Sequence, residues 1–161
     1  MLKRLLTGLV ASISLCLLTG TVAQASTPVT GSGTFLFNLT PASSRTADGD
    51  TFITYTFHET ISGIVSGTRV GQGSLVIHPD GTVNVSDSGV FSGTIAGSAP
   101  GTATLSAQAS GTFASVTAQG VLSDGAGGLT GVHGVTFVTG AATGPTTFAG
   151  SYTQRVQFGA P

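Results

Sequence analysis

The sequence contains one cysteine, no tryptophan and few charged residues, which make up 7% of the chain. Cys16 lies in an N-terminal apolar stretch, and its preceding residue, Leu15, is too bulky for the position that lipoprotein processing requires. We therefore expect no lipid anchor and no disulfide in the mature protein, although export would permit disulfides. A thiol nucleophile and a cysteine metal site are excluded on the same ground.

The N-terminus has the three zones of a secretory signal peptide. Lys3 and Arg4 precede an apolar stretch over residues 5–18, and the small side chains of Ala23 and Ala25 follow. We predict that residues 1–25 are removed and that the mature protein, 136 of the 161 residues, is secreted without a stable membrane anchor. The alternative is an uncleaved anchor, but the apolar stretch is shorter than the ~20 residues that a spanning helix needs.

The mature sequence is short of positive charge. It has no lysine, and three arginines face six acidic residues, so its net charge is near −3. Nucleic acid is therefore not expected as a partner. No phosphate-loop lysine and no Gly-x-Ser-x-Gly elbow occur, and His58-Glu59 is followed by Ser62 where a zinc-protease helix needs its second histidine. We expect no cofactor and no metal site.

The mature sequence has the alternating residue pattern that is typical of β-strands. Apolar and small polar residues alternate after residue 25, and glycines interrupt them about every eight to twelve residues. Residues 26–32 are predicted to be a flexible N-terminus, and residues 33–161 to be one β domain. Its first strand covers residues 33–40, and residues 41–50 are predicted to be a polar loop.

The same alternation continues to the C-terminus. It predicts further strands or strand pairs at residues 51–61, 69–78, 82–86, 91–95, 102–106, 111–116, 120–124, 135–137 and 146–158. About eight such strands, each with one apolar face, predict an all-β fold in which a single antiparallel β-barrel closes around one interior. A two-sheet β-sandwich would use the same alternation and stays open as the alternative.

Glu59 is the first candidate for chemistry. Its position in the alternation puts this carboxylate on the same face as Tyr55 and Phe57. A carboxylate on an apolar wall should have a raised pKa, as a general acid or base needs. The alternative is a structural ion pair with Arg69 on the next strand.

Six further residues are candidates for ligand contacts, including Tyr55 and Phe57 beside Glu59. Arg69 is in phase with inward apolar residues and could bind an anionic group, unless a β-bulge turns it outward. His133, in phase with Val135 and Phe137, is the one histidine considered for proton transfer, although a satisfied core histidine is the commoner outcome. Tyr152 and Gln154 complete the predicted inward polar set with Tyr55.

The second half of the chain resembles an uncharacterised bacterial family with the allene oxide cyclase barrel-like fold. Residues 123–134, Ser-Asp-Gly-Ala-Gly-Gly-Leu-Thr-Gly-Val-His-Gly, are similar to its glycine-rich element, and residues 81–97 to its preceding strand pair. Gly128 stands where an acidic residue is common, and His133 where an arginine is common. The resemblance implies a barrel and implies little about activity.

Three functions are consistent with these observations. The first is a secreted binding module for a small hydrophobic ligand. The second is a structural or interaction protein of the cell envelope, which the low charge and the Thr/Ser-rich faces favour. The third is a cofactor-free cyclase or isomerase that uses Glu59 as acid or base. The sequence leaves the oligomeric state open.

Overall fold

The fold is a closed ring of eight antiparallel strands, described by a computed structural model for residues 27–159. Each strand pairs with the next along the chain, and β1 pairs with β8. The strands are β1 (Val29–Ala47), β2 (Asp50–Gly63), β3 (Val65–Ile77), β4 (Thr82–Ile95), β5 (Gly101–Thr112), β6 (Ser115–Gly127), β7 (Val132–Ala142) and β8 (Thr147–Phe158). The predicted signal peptide lies outside these residues.

Closure of the ring confirms the barrel over the sandwich. Residues 29–38 of β1 pair with β8, the last strand. Over this pairing neither strand exposes a free edge. Alternate side chains of every strand point to one interior, as the alternation predicts. Residues 27–159 contain no helix that is long and apolar enough to cross a membrane.

The two ends of the interior differ. At one end, Ile95, Leu129 and Val132 are fully buried and close the barrel. Leu129 belongs to the glycine-rich turn between β6 and β7, which folds inward over this end. At the opposite end, beside the β1–β2 turn, Leu39 and Phe148 remain partly exposed. We call these the closed end and the open end.

The predicted loop at residues 41–50 is wrong, because β1 continues to Ala47. Only Asp48 and Gly49 form the turn, with φ values of 54° and 89°, the two positive angles of the tightest hairpin turns. Pro41 is tolerated because β1 pairs with β8 only as far as Asn38. A bulge follows Pro41 and shifts the register against β2.

Other boundaries also differ from the sequence prediction, among them residues 111–116, which contain the turn between β5 and β6. β1 begins at Val29, and residues 29–32 pair with β8 instead of forming a flexible N-terminus. Residues 82–86 and 91–95, predicted as separate strands, belong to the single strand β4. The Ser-Asp-Ser-Gly sequence at residues 86–89 has the composition of a turn, but it pairs with both neighbouring strands throughout.

Inward glycines on β3 make room for large aromatic rings. A methyl group on Gly73 would lie 2.6 Å from both Cζ and Oη of Tyr55, and one on Gly71 would lie 2.9 Å from Cζ of Phe57. Tyr55 and Phe57 stand opposite these glycines in the β2–β3 register. The glycines therefore set where the two rings lie inside the barrel.

We expect Gly73→Ala to lower the free energy of unfolding by about 1–3 kcal/mol, the usual cost of overfilling a packed interior. Gly144→Ala is the matched control, because a methyl group there meets its nearest atom at 3.7 Å. Its effect should stay within about 0.5 kcal/mol. Urea unfolding of both variants measures the difference, and equal stabilities would contradict the packing role of Gly73.

Candidate functional site

The centre of the interior holds a cluster of three charged side chains: Glu59 from β2, Arg69 from β3 and Asp87 from β4. Glu59 and Arg69 are direct partners in the β2–β3 register, so both must point the same way. Arg69 pairs with Phe91 of β4, and Asp87 lies four residues before Phe91 on the same strand. An even separation along a strand puts both side chains on the same face. Glu59 is 8% exposed and Arg69 is 3% exposed.

Arg69 contacts both carboxylates of the cluster. Its Nε lies 2.7 Å from Oε2 of Glu59, and its Nη1 lies 3.0 Å from Oδ1 of Asp87. Nη1 also donates a hydrogen bond of 3.2 Å to the carbonyl oxygen of Leu105. The guanidinium carbon stands 4.6 Å from the ring centre of Phe57, an attractive cation–π distance. One arginine therefore links three strands and an aromatic ring.

The two carboxylates share this single cation. Burial raises the pKa of Glu59, the charge of Arg69 lowers it, and the charge of Asp87 raises it further, with a net rise. The pKa of Asp87 is also raised by burial, against the opposing charge of Arg69. Both carboxyl groups therefore hold a proton more tightly than they would in water.

Tyr55 adds a polar group without a partner. The side chain is 2% exposed, and its hydroxyl makes no hydrogen bond to any described residue. Burial raises its pKa, so the hydroxyl stays neutral and can both donate and accept. A buried hydroxyl without a partner is costly, which makes it a candidate for contact with a ligand or water.

Two cavities lie on either side of the charged cluster. The outer cavity, of about 110 Å³, reaches toward the open end. Aromatic and aliphatic side chains form most of its wall, and Tyr55, Glu59, Arg69 and Asp87 contribute its polar groups. The inner cavity, of about 50 Å³, lies toward the closed end and shares Glu59 and Arg69 with the outer one.

Tyr152 and Gln154 face the inner cavity, so their predicted inward orientation is confirmed. The Tyr152 hydroxyl accepts from the amide of Val65 at 3.0 Å and lies within 3.3 Å of two carbonyl oxygens, which makes it a structural link between β8 and the β2–β3 turn. The Oε1 of Gln154 accepts from Thr136 Oγ1 at 2.8 Å, while its Nε2 has no partner among the described residues.

The inward orientation predicted for His133 is wrong. His133 is exposed on the outer wall, and Phe137, in the same phase, is 57% exposed. The inward face of β7 instead carries Val132, Thr136 and Val138. Register explains this choice, because Thr136 stands opposite Gln154 of β8 and forms a buried hydrogen bond with it. His133 therefore takes no part in the interior site.

Sequence analysis placed Tyr55, Phe57, Glu59 and Arg69 together and missed Asp87. The structure confirms the shared inward face of the four, and the ion pair weighed as the alternative for Glu59 is present. Asp87 was missed because it lies between residues 82–86 and 91–95, which were predicted as separate strands. Its alternation with Val85 and Phe91 would have revealed it. No three histidine or acidic side chains lie close enough to hold a metal ion in residues 27–159.

Comparison with known proteins extends to the fold alone. No protein-family model matches the sequence, and no curated protein matches it. In structure, the chain is similar to a DUF3224-family protein of unknown function from Shewanella oneidensis MR-1. The TM-score is 0.63 at 18% sequence identity, over 86% of this chain and 99% of the other. Function has to be argued from the site itself.

Proposed function

We propose that this protein is a secreted binding module that takes a small hydrophobic ligand into the outer cavity. The observation that carries the proposal is an apolar cavity with a few convergent polar groups, among them the partnerless hydroxyl of Tyr55. Ligand sites in proteins have this composition: apolar walls give affinity, and a few polar groups fix orientation. Secretion is supported by the three zones of residues 1–25.

The size of the outer cavity limits what it can take. Its volume of about 110 Å³ is smaller than the roughly 150 Å³ of an engineered apolar cavity that binds benzene. A ligand of about five or six non-hydrogen atoms, or the end of a longer chain, is therefore the expected occupant. Leu39 and Phe148 are partly exposed at the open end, where a longer ligand would extend into solvent.

We expect benzene to bind the protein and to shift the NMR signals of residues that line the outer cavity. Ala118→Phe should abolish this binding, because Ala118 lines the cavity and a phenyl ring would fill it. Thr117→Phe is the matched control, since Thr117 precedes it on β6 and is exposed outside. Titration by NMR measures both. Failure of the unsubstituted protein to bind benzene, or equal binding by both variants, would refute the proposal.

The resemblance to the allene oxide cyclase barrel-like fold belongs to this proposal as well. It is supported by the closed antiparallel ring and by the glycine-rich residues 123–134, which form the end of β6, the inward turn and the start of β7. In this chain the turn contributes Leu129 to the closed end.

A cyclase or isomerase is the second candidate, and the raised pKa of Glu59 favours it. A carboxyl group that keeps its proton near neutral pH can act as a general acid, and one that loses it can act as a general base. Glu59 lines both cavities, so a substrate in the outer cavity would meet it beside Tyr55. This candidate requires that Glu59 does take up a proton in the folded protein.

Glu59 protonation has a consequence for stability. A raised pKa in the folded state means that folding favours the protonated form, so the contribution of Glu59 to stability is greatest below the ordinary glutamate pKa of 4.5 and is lost as the pH rises through the raised value. Glu59→Gln mimics the protonated group and removes its titration. We expect the urea midpoint of the unsubstituted protein to fall more, as the pH is raised stepwise from 4.5, than that of the variant. Parallel curves would show that Glu59 titrates normally.

A further inference from the structure

The charged cluster carries more negative than positive charge. Two carboxylates, Glu59 and Asp87, contact one guanidinium. Within residues 27–159 the other two arginines, Arg45 and Arg155, are exposed on the outside of the barrel, and no lysine occurs. When both carboxyl groups are ionised, the site therefore has one negative charge without a partner of opposite sign.

The carboxylates also keep capacity to accept hydrogen bonds. Arg69 makes its closest contact with each carboxylate through one oxygen, Glu59 Oε2 at 2.7 Å and Asp87 Oδ1 at 3.0 Å, whereas an ionised carboxylate has two oxygens and about four acceptor positions. The hydroxyl oxygen of Tyr55 is buried in the same cavity wall and accepts from none of the described residues. Both carboxylates and the Tyr55 hydroxyl thus keep capacity to accept hydrogen bonds from a donor in the cavity.

The remaining walls suit a cation as well. Phe35, Phe37 and Phe148 line the outer cavity, and ring faces attract cations at distances up to about 6 Å. The position of the Arg69 guanidinium over Phe57 shows the same pairing of charge and ring in this interior.

We propose that the outer cavity selects small hydrophobic amines, whose ammonium group is received by Glu59, Asp87 and Tyr55 while the apolar part contacts the phenylalanine rings. This inference rests on the proposed binding function and names its ligand class. An alkyl carboxylate is disfavoured, because it would add a third negative charge to a buried site that has one cation. An alcohol of equal length can bind but gains no charge attraction.

The proposal predicts linkage to protons. A bound ammonium group favours the ionised form of Glu59 and Asp87. If either carboxyl group holds a proton in the free protein, amine binding therefore releases that proton to solvent. Amine binding should therefore weaken as the pH falls toward the range in which both carboxyl groups are protonated. The histidines do not face this site, since His58 and His133 are exposed outside and His78 contacts Asp50 near the β3–β4 turn.

The experiment compares pentylamine, 1-pentanol and pentanoate at pH 7.5, each titrated into the isotope-labelled mature protein and followed by NMR. These probes share one alkyl chain and differ in head-group charge. We expect pentylamine to bind at least tenfold more tightly than 1-pentanol, and pentanoate to bind most weakly. Pentanoate or 1-pentanol binding as tightly as pentylamine would overturn the amine assignment and leave the binding function standing. No binding of any probe or of benzene would refute the binding function itself.

Asp87→Asn tests the origin of the preference, because it removes one negative charge and keeps the shape of the side chain. We expect this variant to bind pentylamine and 1-pentanol within about threefold of each other, so that the tenfold preference for the amine is lost. An undiminished amine preference would contradict the role of the unpaired charge. If the variant does not fold, the pH dependence of pentylamine binding to the unsubstituted protein decides, and affinity that is constant from pH 8 down to the ordinary carboxyl range near about pH 4 would overturn the proposal.

Discussion

The contact between Arg69 and two buried carboxylates is the constraint around which the interior of this barrel is organised. Glu59, Arg69 and Asp87 come from three consecutive strands, and each strand must present its charged residue at the same level of the barrel. A slip of one residue in either register would turn one partner to the outside. It would leave a buried charge without its counter-ion, at a cost of several kcal/mol. The cluster therefore penalises wrong registers.

The same cluster divides the interior into regions with different roles. On its closed side, fully buried Ile95, Leu129 and Val132 supply the apolar burial that a chain without disulfides in its described part needs. On its open side, space remains between the aromatic rings. Gly71 and Gly73 hold the rings of Tyr55 and Phe57 against the β3 wall. Packing is thus dense at one end and incomplete at the other.

Most of the site could be predicted from alternation alone, because a strand has a side-chain period of two. Tyr55 and Glu59 needed only one well-defined strand, and Arg69 needed the absence of a bulge. Alternation failed at His133, because β7 presents bulky residues on its outer face and Thr136 on its inner face. The choice of face there depends on the partner residue Gln154, which lies on another strand. The sequence of β7 alone therefore does not show which of its faces points inward.

Strand boundaries failed for a different reason. Turn-forming residues predict turns only when no neighbouring strand offers better hydrogen bonding. Ser86 to Gly89 have turn composition, yet β3 and β5 pair with them on both sides. In contrast, Asp48 and Gly49 form a true turn, because both adopt positive φ. Splitting β4 concealed Asp87, so the sequence suggested a Glu59–Arg69 pair, whereas the structure contains an excess of carboxyl groups over cations, two around one arginine.

That excess favours the proposed binding role over a purely structural one. A buried ion pair is seldom the most stable filling for an interior, since apolar residues of similar volume often stabilise a protein more. A second carboxylate makes the arrangement costlier, and the partnerless Tyr55 hydroxyl adds to this cost. All of these groups border the outer cavity, while apolar residues close the opposite end. Unfavourable groups gathered beside accessible space support the proposed binding function, and two carboxyl groups around one arginine favour a cation as the proposed ligand.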